Sequence, residues 1–173
     1  MSRSSTSDDK KTKVNDNIST QTHLPRNNTE YSIREYWEER FEKEEEYDWL
    51  FTFSEVQSVI HRFIEKSSKI LIVGCGNSSF SVDLYDAGYL NITSIDYSYN
   101  VINRMKMKYE KSRPKLVWQV MDMTEMSSFS SQLFDVVIDK AAMDALLSSE
   151  RDVWNPKEEV VMLCRKMCSH VSR

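Results

Sequence analysis

ILIVGCGNSSF, residues 70–80, places two of the chain's three glycines, Gly74 and Gly76, two apart at the end of an apolar run. The run itself, KILIVG over 69–74, is short, β-branched and apolar without alternation, the pattern of a strand buried on both faces in a parallel sheet. SSFSVDLYDAG over 78–88 then reads as a helix with Gly88 as its stop. The glycines fall at the turn from strand to helix. Such a turn needs backbone freedom, and a side chain there would obstruct a ligand.

Downstream the alternation repeats. NITSID (91–96) is a second strand, and SYNVINRMKMKYEKSRP (98–114) a second helix with Ser98 as N-cap and Pro114 beyond its end. KLVWQVMD (115–122) and FDVVID (134–139) are a third and a fourth strand. NPKEEVVMLCRKMCSHV (155–171) opens a last helix with Asn155 as N-cap and Pro156 at its first position. Strands alternating with helices predict an α/β, Rossmann-like, doubly wound parallel sheet.

Upstream, FSEVQSVIHRFIEK (53–66) carries an apolar stripe at helical spacing, with Ser54 and Gln57 at capping-box spacing. YSIREYWEERFEKEEEYDWLF (31–51) sets Trp37 and Phe41 four apart on one helix face. Residues 1–30 are rich in Ser, Thr, Asn, Asp and Lys, and are expected to form a disordered N-terminal tail ahead of one domain over 31–173.

The composition, 40% hydrophobic and 29% charged with a net charge of −4, is that of a globular protein and argues against a partner bound through phosphates. Neither nucleic acid nor membrane is an expected partner. No apolar window is long enough to span a bilayer, and MSRSSTSDDKKTKVND has no apolar core of a signal peptide. The three cysteines, Cys75, Cys164 and Cys168, lack a disulfide framework and point to a reducing, cytoplasmic location. Cys164 and Cys168, four apart, have no second pair, so no metal site is expected.

Four strand ends deliver polar groups to one crevice. Asp96 ends the second strand, twenty residues after Gly76, where a carboxylate can accept two ribose hydroxyls. Asp122 ends the third and can accept an exocyclic amine of adenine, with Tyr97 placed to stack on the base. Asp139 and Lys140 end the fourth. Ser79 stands where a dinucleotide fingerprint has its third glycine, and with Asp122 it argues against a nicotinamide enzyme.

ILIVGCGNSSFS, TSIDYS, MDM, FDVVIDKAAMDALL and ERDVWNPKEEV together resemble the class I, seven-strand methyltransferases that use S-adenosylmethionine. More narrowly they are similar to the lysine methyltransferases of translation elongation factor 1-alpha, of the endothelin-converting-enzyme-associated type. The resemblance runs from about Tyr36 to the last residue. It departs from the family pattern at Ala141-Ala142, where the family has Gly-Thr.

The resemblance implies S-adenosylmethionine as cofactor and a protein lysine as acceptor, with elongation factor 1-alpha as possible substrate. It implies that Gly74 lies against the methionine part with Gly76 also binding the cofactor, Asp96 holds the ribose, Tyr97 packs on the adenine, and Asp122 and Met123 frame its edge. Lys140 would face the cofactor, with Trp37, Phe41 and Trp49 closing over it and Asp144 orienting the incoming amine. It also implies a sheet order 3-2-1-4 with strands 5–7 missing, a truncation that would expose strand 4 to self-association. A truncated, inactive domain that binds cofactor or a partner is the alternative.

Overall fold

The computed structural model describes residues 24–150, 152 and 154–173. The tail expected over 1–30 lies outside these residues as far as position 23. Among the described residues, a 3-10 turn over Asn28–Ser32, capped by the Asn27 side chain, precedes the first helix.

Helices α1 (Arg34–Lys43) and α2 (Phe53–Phe63) precede strand β1 (Ile70–Val73). Helix α3 (Phe80–Asp86), strand β2 (Ile92–Asp96), helix α4 (Tyr99–Tyr109) and strand β3 (Val117–Val120) follow. Strand β4 (Val136–Asp139) and helices α5 (Ala142–Leu147) and α6 (Glu158–Val171) complete the chain. The four strands are parallel in the order β3-β2-β1-β4, the order expected.

Register explains why the site forms where it does. Val73 pairs with Ile95 on one side and with Asp139 on the other, and Asp96 pairs with Val120. All four strands therefore end along one edge, and residues 74, 97, 121 and 140 leave the sheet side by side.

Strand β1 is buried along its whole length because both faces are covered. Ile70 and Ile72 join a core with Phe53, Phe80, Leu84, Val101 and Met105 from α2, α3 and α4. Leu71 and Val73 face the other way, onto Ile95, Met126 and Met167 of α6. Each fully buried aliphatic side chain of this kind contributes about 1.5–3 kcal/mol. Strand β4 pairs only with β1, and Val136, Val137 and Ile138 are half-buried.

Two helix starts differ from expectation. In α2 the capping box is Thr52 with Glu55, whose carboxylate accepts the Thr52 N–H at 2.7 Å, rather than Ser54 with Gln57. Both pairs have the same spacing. Phe53, 6% exposed, belongs to the core and draws the helix start onto itself. Helix α6 starts after Lys157, not Asn155, because the Glu150 carboxylate takes the Lys157 N–H at 3.0 Å and Asn155 is held in a turn on Asp152. Ser98 caps α4 as expected, accepting from the Val101 amide. Gly88, at φ 97°, stops α3.

Candidate active site

A cavity of about 250 Å³ opens at the carboxyl edge of the sheet. Gly74, Gly76, Asp96, Tyr97 and Lys140 line it from the strand ends, with Asp122 and Met123 from the segment after β3. Trp37, Phe41 and Trp49 line it from the N-terminal segment. All ten residues singled out for binding thus meet at one surface. Asp144 does not: it is exposed on α5 and outside the lining. Asp139 is also outside, because its carboxylate accepts the Ala142 and Met143 amides and starts α5.

Gly74 and Gly76 both have left-handed backbones, at φ 57° and 51°. The demand for glycine at 74 comes first from the chain itself. A Cβ there would lie 2.3 Å from the Cβ of Ala142, and one on Gly76 would meet the Phe41 ring at 3.4 Å. At Gly74 the Ala142 side chain already fills the space a Cβ would take, whereas at Gly76 a Cβ would stand in ordinary contact with Phe41; both glycines line the cavity.

Asp96 is 6% exposed and organises the turn. One carboxylate oxygen accepts the Gly76 N–H at 2.9 Å and the other the Ser98 N–H at 2.9 Å. Burial pushes its pKa up to about 6, against the pull of those two amides. Burial, and then the neighbouring Asp96, hold the Tyr97 hydroxyl far above its ordinary range. The Arg34 guanidinium lies 5.0 Å from the Tyr97 ring centre and donates to the Tyr97 carbonyl at 2.6 Å. Asp122 is held by both donors of Thr124 on its Oδ1, each at 2.8 Å.

The Lys140 ammonium, 9% exposed, donates to Asp48 Oδ1 and to the Trp49 carbonyl, both at 3.0 Å. Asp48 in turn accepts the hydroxyls of Ser78 and Ser79. The aromatic wall is a connected set: Trp37 lies 5.6 Å from Phe41 and 5.9 Å from Trp49, centre to centre. Trp37 serves both core and cavity, since it packs on the main cluster while lining the site.

Reading the sequence missed Ser32, Arg34, Leu146 and Leu163 in the lining, and Asp48 behind it. Arg34 and Asp48 flank the aromatic residues already noted, and that adjacency is the one signal that pointed to them. Among the described residues, no group of three His, Cys, Asp or Glu is placed to hold a metal ion, and no helix is long and apolar enough to cross a membrane.

Residues 70–164 match the family described as "Methyltransferase domain". The chain is 40% identical over 131 residues to eEF1A lysine and N-terminal methyltransferase of Bos taurus, covering 75% of this chain and 19% of that protein. It is 35% identical over 153 residues to EEF1A lysine methyltransferase 4 of Mus musculus, covering 87% of this chain and 59% of that protein. The chain thus spans 59% or less of the length of these relatives. A crystal structure of magnesium protoporphyrin IX methyltransferase from Synechocystis PCC 6803 with bound SAM aligns with a TM-score of 0.49 at 17% identity, over 81% of this chain and 67% of that one.

Proposed function

The chain belongs to the methyltransferase domain family, and from that premise we propose that it binds S-adenosylmethionine and transfers the methyl group to a protein lysine, with elongation factor 1-alpha, named in its relatives, as the substrate class. The observation that carries the reading is the convergence of the Gly74–Gly76 turn, Asp96–Tyr97 and Asp122–Met123 on one cavity.

The residues fit the cofactor's chemistry. Asp96 has both oxygens fixed by backbone amides, each with a lone pair left to accept a ribose hydroxyl. Thr124 pins one oxygen of Asp122 and leaves Oδ2 to accept an exocyclic amine. Tyr97, Met121 and Met123 offer apolar surface to a base. Trp37, Phe41 and Trp49 offer aromatic faces to a cation.

When bound, S-adenosylmethionine supplies a methyl group on a positively charged sulfur, activated for displacement by an amine. The chain's own contribution is position and electrostatics. A lysine acceptor must arrive neutral, which from its ordinary pKa costs about 4–5 kcal/mol at pH 7. The apolar walls lower that cost by disfavouring the ammonium form. Asp144, exposed on α5 beside Ala145 of the cavity lining, would orient the incoming amine in this reading. Lys140 ties the aromatic wall to β4 through Asp48 and Trp49.

A second reading, a domain that binds cofactor without transferring methyl, is favoured by the four-strand sheet with β4 as an open edge among the described residues. The same edge is the surface through which the chain would self-associate. The three free thiols support a reducing location, the cytoplasm. Calorimetric titration with S-adenosylhomocysteine and with NAD tests the cofactor, with binding of the first alone expected. Radiolabelled methyl transfer to purified elongation factor 1-alpha then separates the two readings. Binding of NAD alone would overturn both.

A further inference from the structure

Behind the aromatic wall lies a buried cation that the cavity never touches. Arg40 of α1 is 4% exposed. Its guanidinium carbon lies 4.8 Å from the ring centre of Trp49, 5.1 Å from Tyr47 and 5.9 Å from Trp37. Its Nε and Nη2 grip both oxygens of Glu44, at 3.0 and 2.7 Å, and Nη1 donates to the Tyr36 hydroxyl at 2.8 Å. Glu44 Oε2 also accepts from the Asn77 side-chain amide at 3.1 Å, and the Glu44 carbonyl accepts from the same amide at 3.3 Å. Asn77 is 2% exposed and directly follows Gly76.

One chain of contacts therefore runs from Trp37 and Trp49, through Arg40 and Glu44, to the glycine turn. Both of its ends line the cavity and its middle does not. A planar guanidinium can stack on several rings while forking onto a carboxylate, and an ammonium cannot do both. We propose that Arg40 is a positioning residue: with Glu44 it holds the aromatic wall at a fixed distance from the Gly74–Gly76 turn, so that the two are spaced for one ligand before it arrives. The proposal rests on the cofactor reading for the identity of that ligand, but the tie itself exists without it.

Truncating Arg40 would strand the half-buried Glu44 carboxylate and empty a buried site among the rings, destabilising the region for reasons unrelated to spacing. Arg40→Lys avoids this, since it keeps the charge beside Glu44 and loses the fork and the stacking. Asn77→Ala cuts the tie on the glycine side and leaves no charge unpaired. Two measurements apply to each variant and to the parent. Hydrogen exchange on ligand-free protein reads residues 47–51 and 74–79 against the β1 and β2 amides. Calorimetry with S-adenosylhomocysteine reads affinity.

Exchange at least fivefold faster in those two segments alone, with affinity weakened about tenfold, is the expected result in both variants. Should Arg40→Lys fail to fold, Asn77→Ala still reads the tie. Parent-like exchange and affinity in Asn77→Ala, or acceleration spread evenly over the sheet, would overturn the proposal. A parent chain that binds no S-adenosylhomocysteine would sink the cofactor reading, and the exchange data would still decide the tie.

Discussion

Asp96→Asn tests the centre of the site, because that carboxylate braces the glycine turn and, in the function proposed above, holds the ribose, and the two tasks respond to pH in opposite ways. In the free protein the Asp96 pKa is about 6, against an ordinary 3.8, chiefly because burial disfavours the charge. The folded state therefore binds the proton more tightly than the unfolded chain does. The stability from this group is full below about pH 4 and is lost as pH rises through about 6. The whole span amounts to roughly 3 kcal/mol, of which about 1.4 kcal/mol appears between pH 7 and pH 5. The amide side chain of the variant does not titrate. The difference in unfolding free energy between parent and Asp96→Asn should therefore grow in the parent's favour by about 1.4 kcal/mol on acidification from pH 7 to 5. Urea denaturation of both proteins at the two pH values measures it, and taking the difference cancels every other titrating group.

Cofactor binding should run the other way. Ribose hydroxyls donate better to a carboxylate than to a carboxylic acid, so a ligand that needs the ionised form binds about tenfold more weakly at pH 5 than at pH 7. A parent–variant stability difference that is flat or shrinks on acidification would show that Asp96 is not desolvated as described. Affinity that is independent of pH would remove it from the ribose.

Ala141→Gly should raise stability by about 1 kcal/mol in thermal melting, because Ala141 sits at φ 73°, where an L side chain is strained. Gly74→Ala should cost about 2–5 kcal/mol by urea denaturation, from left-handed backbone strain together with overpacking. Adding Ala142→Gly should restore about half of that loss, since it removes the Cβ that a residue-74 side chain would meet at 2.3 Å. Lys140→Met should cost about 2–3 kcal/mol by leaving Asp48 short of its partner, and Asp48→Asn added to it should recover part of the loss.

The sheet was legible in the sequence because its signals are local. Ile70–Val73 is an unbroken apolar run, and in the structure its alternate residues enter two different cores. Glycine scarcity helped as well: all three glycines have positive φ, so each marks a place where the backbone demands it. The lining residues at strand ends followed from topology once the strands were placed. What escaped was decided across long distances. The two candidate capping boxes of α2 look alike until the burial of Phe53 chooses between them. The Asp48–Lys140 pair joins residues 92 apart, and no periodicity in either segment announces it. Asp139 has the composition of a site residue, yet its oxygens go to α5.

The region that matches the family begins at residue 70, but the aromatic part of the cavity wall, Trp37, Phe41 and Trp49, lies before it. Helix α1 is a poor candidate for independent docking, since Phe41 is its one buried apolar residue. Polar ties fasten it instead. The Arg34 guanidinium donates to the Tyr97 carbonyl, Ser98 donates to Glu38 at 2.6 Å, and Arg104 of α4 donates to the Phe41 carbonyl. These ties grip the loop after β2 and the helix that follows it, while Glu44 and Asp48 grip the loop after β1. Contacts of this kind contribute about 0.5–1.5 kcal/mol each and about 1.5–3 when charged. The segment is therefore held by a sum of modest bonds to the very loops that a ligand would touch. A ligand that orders those loops must also tighten the segment, and a change that loosens the segment must reach the ligand. In the function proposed above, residues 28–51 would therefore belong to the binding site in energy as well as in geometry, although they lie outside the matched domain.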